Sequence, residues 1–156
     1  MTRATPLSLT AQLLLLRKYQ PTGRGTVAAS REGRRLRWHQ SVRPHALGAL
    51  YEIELRYVEG NLPQVLVCHP DLRALADGRK IPHTYPDVDG HPCLCLWWIG
   101  DWKFSLPVAT TMIPWAAEWF WFFEHWLTAG EWLGGGTHPV DICPPVFALT
   151  RDQHAA

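Results

Sequence analysis

The chain has 156 residues, of which 47% are hydrophobic and 19% charged. That balance suits one packed core over residues 1–156 and excludes wholesale disorder. The formal net charge of +1 hides an asymmetry: residues 1–43 carry Arg3, Arg17, Lys18, Arg24, Arg31, Arg34, Arg35, Arg37 and Arg43 against Glu32 alone. Such a face can meet nucleic acid or an acidic protein, or simply be solvated. No aromatic-interleaved RNA-binding signature accompanies it, so nucleic acid is not an expected partner.

The apolar run Leu13–Leu16 is too short for a signal-peptide core and is followed directly by Arg17-Lys18. The later apolar stretch from Met112 to Leu127 is interrupted by Pro114, Glu118, Glu124 and His125. It falls short of the roughly 20 apolar residues a membrane span needs. Cys68, Cys93, Cys95 and Cys143 form no disulfide-scaffold pattern. A soluble protein of the reducing cytoplasm is the expectation.

In chain order, Pro6 to Tyr19 reads as a helix capped by Ser8 or Thr10, ended by Pro21, Gly23 and Gly25. Leu36 to Val42 alternates, with Leu36, Trp38, Gln40 and Val42 on one face. Pro44 to Gly48 turns, and Ala49 to Val58 alternates again, with Ile53, Leu55 and Tyr57 opposite Glu52, Glu54 and Arg56. Glu59-Gly60-Asn61 is a hairpin turn into a short strand, Gln64 to Cys68. These three strands make an antiparallel meander. Asp71 to Ala76 reads as a helical turn. Gly78 to Pro92 is predicted irregular, because Pro82, Pro86, Gly90 and Pro92 oppose regular hydrogen bonding. Cys93 to Ile99 is a further short strand. A long helix then begins near Ile113, with Pro114 in its first turn, Thr110 or Thr111 as cap and Gly130 as its C-terminal stop. Its circumference is so apolar that it is expected to be buried on more than one side or to lie under further chain.

Cys93 and Cys95 are the candidates for chemistry. A cysteine at the end of an irregular loop can be reached by an acyl donor. Equally, Cys-Leu-Cys in a strand puts both sulfurs on one face, where cysteine serves as a small hydrophobe. The residues alone leave both readings open. Zinc spacings of Cys-x2–4-Cys or His-x3–5-His are missing around Cys68, His69, His83, His91, Cys93 and Cys95, so no metal and no cofactor is expected. His83, His91, His125 and His138 are all available as a base, and nothing in the sequence sets one of them beside a sulfur.

The order of elements resembles the ubiquitin-conjugating fold, an α+β architecture with an N-terminal helix, an antiparallel β-meander, a Pro-rich active-site loop and a downstream helix, here long and aromatic. Gly90-His91-Pro92-Cys93-Leu94 matches the Gly-x-x-Cys-Leu context of that family's nucleophile. A narrower likeness runs through Pro82-His83-Thr84-Tyr85-Pro86, Leu94-Cys95-Leu96-Trp97, Thr110-x-x-x-Pro114-Trp115-Ala116-x-Glu118-Trp119 and Gly130-x-Trp132-x-Gly134-Gly135-Gly136-x-His138-Pro139. These segments look like the bacterial ubiquitin-conjugating-like proteins of type II CBASS antiphage operons.

That resemblance implies an acyl transferase whose cysteine takes an activated C-terminal carboxylate as a thioester and passes it to an amine. It selects Cys95, with Cys93 next. The implied donor is the C-terminus of a cGAS-like nucleotidyltransferase encoded nearby, and the implied outcome is control of cyclic-oligonucleotide signalling. An activating enzyme is a further implied partner. The aromatic run Trp115–Trp126 reads as core or as the face of a homodimer with a second copy of the chain. Eukaryotic relatives use an asparagine to stabilise the oxyanion, yet Asn61 is the only asparagine here and lies in a predicted turn. Backbone N–H groups near Cys95, or His83 and Tyr85, are the expected substitutes. Glu118, Glu124 and His125 read as rim or partner contacts. The alternatives are a non-catalytic ubiquitin-conjugating-like scaffold and a zinc-stabilised interaction domain.

Overall fold

The structure is a computed structural model and describes residues 4–98 and 100–135. Helix α1 (Leu9–Tyr19) starts at Ser8, whose Oγ accepts from the Ala11 N–H at 3.2 Å. Leu9, Gln12, Leu13 and Leu16 form its buried stripe, and Arg17 and Lys18 sit in the last turn, where the helix dipole favours cations. Four strands follow: β1 (Arg24–Ser30), β2 (Gly33–Val42), β3 (Tyr51–Val58) and β4 (Gln64–His69). After helix α2 (Leu72–Ala76) come β5 (Thr84–Val88) and β6 (His91–Leu94), then a 3-10 turn (Val108–Thr110) and helix α3 (Met112–Ala129). The six strands pair antiparallel in the order β1-β2-β3-β4-β6-β5.

Alternation sets the two faces of the sheet. Leu36, Trp38, Ile53, Leu55, Tyr57, Val65 and Val67 point to the side covered by α1 and α3 and form the core with them. The other side carries Arg37, Glu54 and Arg56, as the alternation predicts. Two expectations need correction. The meander has four strands: β1 is an extra edge strand pairing with β2 along its whole length. Its sequence, RGTVAAS, has no apolar alternation, and it is held mainly by backbone pairing. A Cβ on Gly25 would stand 2.0 Å from the Arg37 carbonyl oxygen, so only glycine allows this approach.

The second correction concerns residues 78–92, which are not irregular throughout. Asp89 and Gly90 both take positive φ, 51° and 79°, the corner a tight hairpin needs, and join β5 to β6. The prolines leave their mark on the pairing. Pro86 lies in the edge strand β5, and the β5–β6 register shifts between Tyr85 and Val88. The strand predicted over Cys93–Ile99 stops at Leu94.

Helix α3 buries Met112, Ile113, Ala116, Trp119, Phe120, Phe123 and Trp126 along one stripe. Tyr51 of β3 stacks on Phe120 with ring centroids 3.9 Å apart. A second flank is covered by the chain that returns beyond Gly130, where Trp132 meets Trp119 at 5.4 Å and Phe122 at 5.8 Å. Thr111 occupies the cap position without capping; its hydroxyl donates instead to the Pro107 carbonyl at 2.7 Å. Among the described residues, no helix is long and apolar enough to cross a membrane.

Two polar clamps hold these layers in register, and a third ties neighbouring strands of the sheet. Gln12, fully buried, donates to the Leu106 carbonyl and accepts from the Val108 N–H, both at 2.9 Å, and so fastens α1 to the chain entering α3. Glu124, expected at a partner rim, instead serves its own chain. Its carboxylate accepts from the Ala49 N–H at 2.7 Å and the Tyr51 hydroxyl at 3.1 Å, and lies 2.8 Å from His45 Nε2. Burial, reinforced by Glu124, raises the Tyr51 phenol far above its ordinary value. Glu54 is buried on the outer face between Arg37 at 2.8 Å and Arg56 at 2.5 Å. Burial alone would push its carboxyl up, but hydrogen bonds and attraction from the two guanidinium groups outweigh it and hold the carboxyl at about 2.

As pH falls, the unfolded chain therefore takes up the Glu54 proton first. The stabilisation is complete above 4.5 and is lost as pH falls from there through about 2. Denaturant midpoints measured down that range should show a slope worth roughly 3 kcal/mol in the wild type, flattened in Glu54→Gln. Glu124→Ala should cost about 2 kcal/mol of stability by the same measurement, while Glu118→Ala, on the exposed face, should stay within about 0.5 kcal/mol.

Candidate active site

The cysteine pair straddles the end of a strand. Cys93 lies within β6, opposite Leu66 of β4 and Tyr85 of β5, and is 3% exposed. Cys95 is the first residue beyond β6 and only half-buried. The register that sets Tyr85 opposite Cys93 also puts its side chain on the side where Cys95 emerges, one pleat further along. Tyr85 hydrogen-bonds to the Cys95 sulfur. Burial pushes the Cys95 thiol up, and the Tyr85 hydrogen bond pulls it part of the way back. The net shift is upward, so the resting group at neutral pH is the thiol.

His83 fixes the position of Cys95 through its backbone. It takes a left-handed conformation, φ 51°, immediately before β5. Its carbonyl oxygen accepts two hydrogen bonds, from the Cys95 N–H at 3.0 Å and from Trp119 Nε1 at 2.9 Å. The imidazole is 8% exposed and lies against Trp132, with centroids 5.1 Å apart. The three expected neighbours Cys95, His83 and Tyr85 are thus brought together, with Cys93 beneath them in the sheet. The Cys95 amide is already committed to His83 and is not a spare donor for an oxyanion.

Two members of this cluster had no role assigned from the sequence. Trp119 orients the His83 peptide from α3, and Trp132 packs on the imidazole from beyond the helix. Both stand in the segments that carry the family likeness, which was the available signal.

The other candidates lie elsewhere. Cys68 is exposed on β4, its thiol raised by burial of the sulfur and then by Glu54. His91 opens β6 and His125 lies on α3; Gly136, His138, Pro139 and Cys143 fall outside the described residues. Among the described residues, no group of three or more His, Cys, Asp and Glu side chains is placed to hold a metal ion. The basic N-terminal region is partly neutralised where it crosses the outer face of the sheet: Arg35 pairs with Glu32, and Arg37 with Glu54.

No curated protein matches the chain. The family model of the type II CBASS E2 protein matches residues 12–139, which takes in α1 from Gln12 onward, all six strands, the cysteine pair, α3 and Trp132. With that span covered, the chain belongs to the type II CBASS E2 protein family and has an E2-like role in CBASS antiphage systems.

Proposed function

We propose that the protein is a ubiquitin-conjugating-like acyl transferase in which Cys95 is the nucleophile, and that residues 1–156 form one domain of the ubiquitin-conjugating fold. The observation that carries the assignment is the end of β6: Cys93 is sealed inside the sheet, whereas Cys95 stands just past it, partly open and bonded to Tyr85. In this reading the sulfur, once deprotonated, attacks the carbonyl carbon of an activated C-terminal carboxylate. The S–C bond forms as the activating group departs. An amine nitrogen then attacks the thioester carbonyl, the S–C bond breaks, the thiolate leaves and the amine gives up a proton, leaving an amide.

Tyr85, as hydrogen-bond donor to the Cys95 sulfur, serves first the thiolate and then the oxyanion. His83 is a positioning residue, acting through the carbonyl that holds the Cys95 amide. The acyl donor in this reading is the C-terminus of a cGAS-like nucleotidyltransferase encoded beside this protein. An activating enzyme supplies the energised carboxylate, and the work is done in the cytoplasm.

Incubation with that nucleotidyltransferase and its activating enzyme should give an adduct that reducing agent cleaves. Cys95→Ala should abolish it, and Cys95→Ser should replace it with a reductant-resistant ester. Cys93→Ala should retain it. An adduct that survives Cys95→Ala and vanishes in Cys93→Ala would move the nucleophile to Cys93. Full phage protection by the Cys93→Ala/Cys95→Ala double variant would instead favour a non-catalytic scaffold.

Because burial leaves the thiol protonated at neutral pH, alkylation of Cys95 should keep accelerating as pH rises past neutrality. Tyr85→Phe removes a hydrogen bond to the thiolate. It should slow alkylation near neutral pH about tenfold and displace the profile to higher pH, as followed by mass spectrometry of the Cys95 peptide.

A further inference from the structure

Helix α3 buries one stripe in the core and turns another to solvent. At about 100° per residue, Pro114, Glu118, Trp121, His125 and Thr128 fall within roughly 80° of arc, opposite the buried stripe. Trp121, in the middle, is 44% exposed. Among the described residues its ring meets only that of its helix neighbour Phe122, with centroids 5.2 Å apart. The side chains of Glu118 and His125 make no ion pair or hydrogen bond among the described residues.

Both flanks of this stripe extend it. On one side the loop between β2 and β3 is tied to the helix by the Ala49 N–H donating to Glu124, and on either side of that anchor it presents Leu47, 94% exposed, and the half-exposed Leu50. On the other side the chain beyond Gly130 packs Trp132 near Phe122 and presents the half-exposed Leu133. An aromatic residue on a rigid helix, bordered by apolar residues on anchored segments, is the make-up of an interaction surface rather than of singly scattered exposed residues.

The charge pattern says what fits it. Glu118 stands three places before Trp121 and His125 four places after it, on the same side of the helix. When two copies of α3 lie antiparallel about a two-fold axis beside Trp121, Glu118 of each copy comes opposite His125 of the other, and both pairs form at once. The two tryptophans meet at the axis. Pro114, Ala117 and Thr128 at the ends of the stripe are small enough to let the helices lie close. A surface carrying its acid and its base at matched distances on either side of an aromatic is complementary to itself.

We propose that the outward stripe of α3 is the interface of a symmetric homodimer, with Trp121 at the two-fold axis and reciprocal Glu118–His125 contacts beside it. The stripe faces away from the cysteine junction: Trp119, which holds the His83 carbonyl, lies about 200° round the helix from Trp121. The inference therefore stands apart from the chemistry assigned to Cys95.

Sedimentation equilibrium of the full chain from about 2 to about 200 μM should show a reversible monomer–dimer equilibrium. Each variant is first checked for the wild-type alkylation rate at Cys95, so that a misfolded chain is not counted as a monomer. Trp121→Glu should raise the dissociation constant at least about thirtyfold. Glu118→Lys sets a cation against His125, and His125→Glu sets two carboxylates together; each alone should weaken the dimer about tenfold. Glu118→Lys/His125→Glu, which exchanges the signs, should restore it.

A monomer at every concentration would overturn the proposal, whether the stripe is then covered by another protein or by residues 136–156 of the same chain. A dimer unaffected by Trp121→Glu would place the interface elsewhere and overturn it too. Failure of the charge exchange to restore a dimer that both single variants weaken would overturn the two-fold pairing. Release of a bound nucleotidyltransferase from the monomer by Trp121→Glu would assign the stripe to that partner and likewise overturn the dimer.

Discussion

One carbonyl oxygen carries the candidate site. His83 accepts from the Cys95 amide on one side and from the Trp119 indole on the other, and so joins the strand end bearing the sulfur to the helix behind it. A buried carbonyl with two donors is fully satisfied, and losing either donor leaves polar groups unpaired in a dry place. The left-handed backbone at His83 is tolerated because those bonds and the Trp132 contact over-determine it. Tyr85 and the thiol inherit their relative placement from this junction. The sulfur is thereby aimed at the expense of being partly desolvated, which is why its thiol is harder to ionise than a free one.

The same economy recurs in the scaffold. Gln12 and Glu54 are withdrawn from water and Glu124 partly so, and each is satisfied by partners from a second element. Apolar packing between the sheet and the two helices supplies most of the cohesion, but it is indifferent to small slips. Gln12 fixes which turn of α1 meets the chain before α3, Glu124 fixes which turn of α3 meets the loop between β2 and β3, and Glu54 ties β3 to β2. That register is transmitted to Trp119, and through it to His83.

Much of this was legible in the chain. The alternation in β2 and β3 is legible because one face is apolar and the other largely charged, and a slip of one residue would exchange them. Ser8, Asp71 and Gly130 are caps whose chemistry is local. β1 was not legible because its small residues carry no apolar period. The β5–β6 hairpin was hidden by Pro86 and Pro92, although Asp89-Gly90 was a genuine turn signal beneath them. Cys93 and Cys95 share a sheet face by alternation, and only the point at which β6 ends tells them apart. That point is set by tertiary contacts. Glu124 was misread for the opposite reason: a charged residue in an apolar helix resembles an exposed rim until the loop that covers it is known.

The span of the Trp119–His83 bond has a bearing on when the site comes into being. The meander closes over short turns, so its pairings form while little chain entropy has been spent. The carbonyl of His83 must instead wait for an indole 36 residues further along, and its imidazole for a tryptophan beyond the end of α3. Cys93 is enclosed as soon as β6 pairs with β4 and β5, whereas Cys95, just past the strand end, is still unsecured at that stage. The setting of Cys95 is completed only in the closing contacts of folding, when the last helix docks and its indole fixes the carbonyl that holds the Cys95 amide.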